Sequence, residues 1–79
     1  MEVKRLIRLD DGKEFIGSVL FVIYVNDGNG KEISVNPVIG SRCVVGLEDY
    51  PMHQWQTSYI VDVYSDTEFR TENSSYRID

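Results

Sequence analysis

The sequence predicts an all-β domain, a small antiparallel meander of five to six strands that forms a curled sheet or a small barrel. Three observations carry that expectation. Residues 14–25 read EFIGSVLFVIYV, the longest apolar run in the chain, and their β-branched and aromatic side chains suit a pleated strand. Turn-forming clusters bracket the run, DDGK at 10–13 and NDGNG at 26–30. No segment repeats its apolar residues at helical spacing, and one short helical turn near 48–56 is the most helix the pattern admits. At 79 residues the chain has material for a single core, so residues 1–79 make one domain.

Taken in order, residues 3–9 (VKRLIRL) form a first strand, with Ile7 and Leu9 alternating about Arg8 and Leu6 out of step. Asp11 and Gly12 supply a hairpin turn, since both tolerate positive φ. The central strand at 14–25 is apolar on both faces, Phe15, Val19, Phe21, Ile23 and Val25 on one, and Ile16, Leu20, Val22 and Tyr24 on the other. Gly17 reads as a bulge or sharp bend that lets the strand serve two parts of a barrel and bury both faces. The competing account is a homodimer in which a second copy covers one face of residues 15–25.

Residues 31–36 form a third strand, with Ile33 and Val35 turned inward, and Pro37 ends its hydrogen bonding. A turn at 39–41 leads to a fourth strand at 42–47 (RCVVGL). Residues 48–56 (EDYPMHQWQ) are irregular around Pro51. Residues 57–65 (TSYIVDVYS) form a fifth strand by composition. Period-two alternation places Ile60, Asp62 and Tyr64 on its outer face and Tyr59, Val61 and Val63 toward the core. Asp66 and Thr67 turn the chain into 68–71, and 72–75 reads as a further turn or a fraying tail.

Composition limits the chemistry. Cys43 is the single cysteine, which excludes an internal disulfide and points to a reducing compartment. The charged N-terminus carries no signal-peptide pattern, and no apolar run reaches the roughly 18 residues of a membrane span, so a cytoplasmic location is expected. His53 is the single histidine. A Cys43–His53 pair oriented by Asp49 has no flanking nucleophile signature, so no enzyme is expected. Neither metal nor cofactor is expected, because one His, one Cys and scattered carboxylates give no ligand spacing. The calcium-like stretch at 27–32 fails with Lys31 at the fifth position and Val38 at the twelfth.

Charge placement is more informative. The net charge is −5, and the excess falls within 43–69, where Glu48, Asp49, Asp62, Asp66 and Glu68 meet no Lys or Arg. A solvated face explains this, and so does a surface made for a basic partner. Tyr50, His53 and Trp55 on the irregular stretch and Tyr64 among the carboxylates are the residue types that anchor interfaces. The candidate partner-binding set is therefore Glu48, Asp49, Tyr50, His53, Trp55, Asp62, Tyr64, Asp66 and Glu68. Direct nucleic-acid binding is not expected, since the only basic cluster, Lys4, Arg5 and Arg8, sits beside Glu2, Asp10 and Asp11.

Two resemblances extend this reading. The stretch RLIRLDDGKEFIGSVLF at 5–21 resembles the first half of an Sm-like small barrel, which has a strand, a Gly-containing hairpin and a second strand with an interior glycine. The basic segment of the second Sm motif has no counterpart, so the resemblance implies barrel architecture and not RNA binding. In size, acidity and β content the chain is similar to small phage-encoded inhibitors of bacterial defence, anti-CRISPR proteins among them, a class without a shared motif. That resemblance implies a non-enzymatic inhibitor whose acidic, nucleic-acid-mimicking surface blocks a nuclease or another nucleic-acid-binding protein. The alternatives are a structural homo-oligomeric phage subunit and a small-barrel binding module.

Overall fold

The computed structural model describes residues 3–25, 28–47 and 54–79, and they form a nearly all-β antiparallel barrel. Seven strands follow in chain order: β1 (Lys4–Arg8), β2 (Glu14–Val25), β3 (Gly30–Ser34), β4 (Arg42–Leu47), β5 (Gln54–Val63), β6 (Glu68–Thr71) and β7 (Ser75–Ile78). The sheet order is β1-β7-β6-β5-β4-β2-β3, and β1 also pairs with β2. Six strands therefore close on themselves, which removes their free edges, and β3 remains as an extra strand.

The length of β2 makes closure possible. Its first residues pair with β1, from Ile7↔Glu14 to Lys4↔Gly17. Its middle pairs with β4, from Gly17↔Leu47 to Val22↔Arg42. Its end pairs with β3, from Phe21↔Ser34 to Val25↔Gly30. Because β4 overlaps both of the other partners, β1 and β3 lie along one edge of β2 and β4 along the other. The register passes through Gly17 without a shift, so the expected bulge is absent. The glycine is there because β2 and β4 approach too closely for a side chain.

The inner face of the barrel is the core. Leu6, Phe15, Val19, Phe21, Cys43, Val45, Ile60, Phe69, Tyr76 and Ile78 are buried together, with Trp55 packed against them. Aromatic rings span the interior: Phe21 meets Phe69 edge-on at 5.5 Å between centroids, and Phe69 stacks on Tyr76 at 5.5 Å. Leu6, which breaks the alternation of the first strand, is its fully buried residue, while Leu9 is exposed. The segment at 72–75, expected to turn or fray, ends in β7, which pairs with β6 and β1 and completes the barrel.

Two face assignments are corrected. Ile33 and Val35, expected inward, are 58% and 72% exposed, because pairing with Val22 puts Ile33 on the outer, even-numbered side of β2 and Val35 lies past the end of β3. On β5, Ile60 is buried and Tyr59 and Val61 are exposed, the reverse of the expectation, while Val63, expected toward the core, is 37% exposed although it pairs with the buried Phe69. The cause is a pair of register shifts. One lies between the Arg42↔Tyr59 and Val44↔Gln56 pairs, the other between Ile60↔Thr71 and Asp62↔Arg70. Each inserts a residue and reverses which side chains face inward, so Trp55 and Thr57 point to the core before the first shift and Ile60 after it. The first shift is held by Thr57, whose Oγ1 accepts from the Cys43 backbone N–H at 3.0 Å and donates to the Ser58 carbonyl at 2.7 Å.

Of the two ways to cover β2, the barrel covers one. Phe15, Val19 and Phe21 are inside, whereas on the opposite face Ile16 and Tyr24 are 56% and 42% exposed and only Val22 is buried. Among the described residues no helix is long and apolar enough to cross a membrane.

Candidate functional site

The predicted binding residues do not form one cluster. Glu48, Asp49, Tyr50 and His53, together with the helical turn expected near 48–56, lie outside the described residues. Trp55 belongs to β5 and not to an irregular loop. It is half-buried and stacks on Phe15 with 3.7 Å between ring centroids and 15° between planes, closing one part of the core. Of the two roles open to Trp55, packing describes its position, and partner contact is left to its exposed rim.

Asp62, Tyr64, Asp66 and Glu68 do come together, on the β5–β6 hairpin. The turn is ordered by its own side chains. Ser65 Oγ accepts from the backbone N–H of Thr67 at 3.2 Å and of Glu68 at 3.1 Å. The Tyr64 and Ser65 N–H groups both donate to the Glu68 carbonyl, at 2.9 and 3.2 Å. The Thr67 carbonyl accepts from Ile78 N at 2.8 Å, tying the turn to β7. Asp66 therefore stands at an ordered tip, with Tyr64 62% exposed beside it.

The charge of this hairpin is smaller than the chain order suggests. Asp62 lies opposite Arg70 on β6, and Arg70 donates to its Oδ2 from Nε at 3.1 Å and also from Nη2. That bonding, joined by the Tyr64 hydroxyl, raises the Arg70 pKa. Glu68 lies opposite Arg77 in the β6–β7 register, without an ion pair at contact distance among the described residues. A cation outside the 43–69 window in sequence is thus adjacent in space. The carboxylates left for a partner at this end are Asp66 and Glu68, flanked by Tyr64.

A second surface was not legible as a site in the sequence. On the outer face of the β3–β2–β4–β5 sheet, the register sets Lys31 beside Tyr24, and Ile33 beside Val22. Val22 lies beside Arg42, and Arg42 beside Tyr59. The Arg42 guanidinium sits 4.8 Å over the Tyr59 ring, and its Nε is buried without a hydrogen-bond partner among the described residues. Leu20 and Val44 form the next row, leading to Gln56. No carboxylate interrupts these rows, in a chain with 13 Asp and Glu. The signal that would have found this surface is the even-numbered face of β2, once its odd-numbered face had been assigned to the barrel interior.

Chemistry at the single cysteine is suppressed. Cys43 is buried in the core, and that burial pushes its thiol up to about 12, so the thiolate needed for nucleophilic attack is scarce at neutral pH. Among the described residues no three His, Cys, Asp or Glu side chains are grouped to hold a metal ion. The fold and these surfaces define a small-barrel protein with a buried thiol, an acidic hairpin tip and an acid-free outer face. No family model, no curated protein and no solved structure matches the chain.

Proposed function

We propose that this protein is a non-enzymatic, protein-binding inhibitor that presents the β5–β6 hairpin to a basic, nucleic-acid-binding surface of its target. The observation that carries the reading is the ordered tip, where Asp66 and Glu68 are exposed and Tyr64 stands beside them. A turn fixed by its own hydrogen bonds loses little conformational freedom on binding, which is what a compact inhibitor needs. Carboxylates spaced along a hairpin offer a basic groove a substitute for backbone phosphates, and a tyrosine beside them supplies an apolar anchor. Asp62 contributes through the Arg70 pair, which orients it, and not as a free charge. Phage-encoded inhibitors of bacterial defence, anti-CRISPR proteins included, are the class this reading fits, with the bacterial cytoplasm as the place of action.

The test is capture from a bacterial lysate with two baits, the wild-type chain and the double charge reversal Asp66→Lys, Glu68→Lys. A nucleic-acid-binding protein retained by the first and lost by the second, and lost from the first as salt rises, supports the proposal. Equal retention by both baits removes the hairpin from the account.

A second reading, a structural homo-oligomer, is favoured by a separate observation, the acid-free outer face next to the edge of β3 that no strand pairs among the described residues.

A further inference from the structure

We infer that the free edge of β3 pairs antiparallel with β3 of a second copy of this chain, about a two-fold axis at Ile33. In the sheet order β3 is terminal, with β2 its single partner among the described residues. An uncovered edge presents a row of backbone N–H and C=O groups whose natural complement is another extended strand. As the terminal strand of the order, β3 offers that edge along its whole length, with the exposed Ile33 on it and the exposed Val35 just past its end.

Side-chain chemistry along the edge selects the second copy and its register. When two copies of a strand pair about an axis perpendicular to the sheet, residues on the same face oppose each other. Centring on Lys31 sets two ammonium groups opposite one another, and centring on Glu32 sets two carboxylates opposite, both unfavourable. Centring on Ser34 calls for Asn36 and Pro37 to join the ladder. Pro37 has no N–H, and Asn36 is already turned onto Ser34, its N–H donating to Ser34 Oγ at 3.1 Å while its carbonyl accepts from that hydroxyl at 2.9 Å.

Centring on Ile33 avoids all of these. Ile33 then opposes Ile33 of the second copy, Glu32 opposes Ser34, and the Lys31 stem lies along Val35. The two outer faces join through Ile33 and Tyr24 of each copy, which are exposed, with Val22 buried beneath them. The arrangement is isologous and closes at two copies, so it uses the edge without starting a fibre.

Sedimentation velocity over a concentration series tests this with the full chain. The wild-type protein is expected to pass from 9.1 kDa to twice that mass as concentration rises. Ile33→Lys opposes two ammonium groups at the axis and is expected to raise the midpoint concentration at least about tenfold. Because Ile33 is more than half exposed, the variant keeps the wild-type circular dichroism, and Val35→Lys gives a second, independent disruption. Glu32→Ser is expected to leave the midpoint unchanged. A wild-type chain that stays monomeric at millimolar concentration overturns the inference, as does a dimer indifferent to Ile33→Lys and Val35→Lys. Tightening by Glu32→Ser overturns the register by placing the axis at Glu32.

Discussion

Gly17 and Gly46 approach so closely across the β2–β4 pair that a Cβ on Gly17 would lie 1.8 Å from the Gly46 carbonyl oxygen. No rotamer relieves a contact between a Cβ and backbone. The approach falls where β2 leaves β1 and takes up β4, so barrel closure depends on it. Gly17→Ala is expected to destabilise the fold by about 3 kcal/mol, the upper end of overpacking costs, whereas Gly12→Ala, with open space around it, costs only the strain of its positive φ. Chemical denaturation of the two variants side by side checks the contrast.

Thr57 is the buried polar group that holds the first register shift of β5. Thr57→Val keeps the shape and removes the acceptor for the Cys43 N–H, leaving a buried donor unpaired. A loss of about 1–3 kcal/mol is expected, measured by urea unfolding. A neutral result would mean that the shift is fixed by the surrounding strands alone.

Cys43 gives a prediction in pH. Its thiol is held near 12 by burial, above the ordinary value of 9.0. The folded state therefore keeps a proton that the unfolded state loses, and stability falls as pH rises from about 9 toward about 12. A disulfide exchange reagent at neutral pH should label the native protein only as fast as it opens, and label the unfolded protein at once. At the acid end Asp11 acts in the opposite sense. Bonds from Arg8 and the Lys13 N–H lower its pKa from 3.8 to about 2, so its contribution is complete above pH 4 and is lost as pH falls through about 2.

Arg70 separates charge from fold. The Asp62–Arg70 pair is solvent-exposed, so Arg70→Ala should change the melting temperature little. It also frees the Asp62 carboxylate on the proposed binding hairpin. Tighter binding to the captured target at low salt is expected, with the gain fading as salt is added. Weaker binding would show that Arg70 itself touches the target.

Much of the fold was legible because it rests on local pattern. The bounds of β2 and β4 follow from runs of β-branched residues that end at turn clusters, and the turn at Asp11-Gly12 from its positive φ. Burial on β5 was not legible. Period-two reading assumes an unbroken ladder, and two shifts in ten residues reverse the assignment of Ile60 and Tyr59. Ile33 and Val35 were misassigned because alternation says which residues share a face, not whether a layer lies over it. The candidate site was half legible. Asp66, Glu68 and Tyr64 are exposed as their composition suggests, but the neutralisation of Asp62 depends on Arg70 arriving from the next strand. A charge count along the chain does not contain that pairing.

The central claim is that the acidic hairpin occupies the site where the target holds nucleic acid. Anisotropy of a labelled oligonucleotide bound to the captured target, titrated with this protein, tests it most directly. We expect the oligonucleotide to be released by the wild-type chain and retained on titration with the Asp66→Lys, Glu68→Lys variant. A ternary complex in which the oligonucleotide stays bound, or equal release by both proteins, would contradict it.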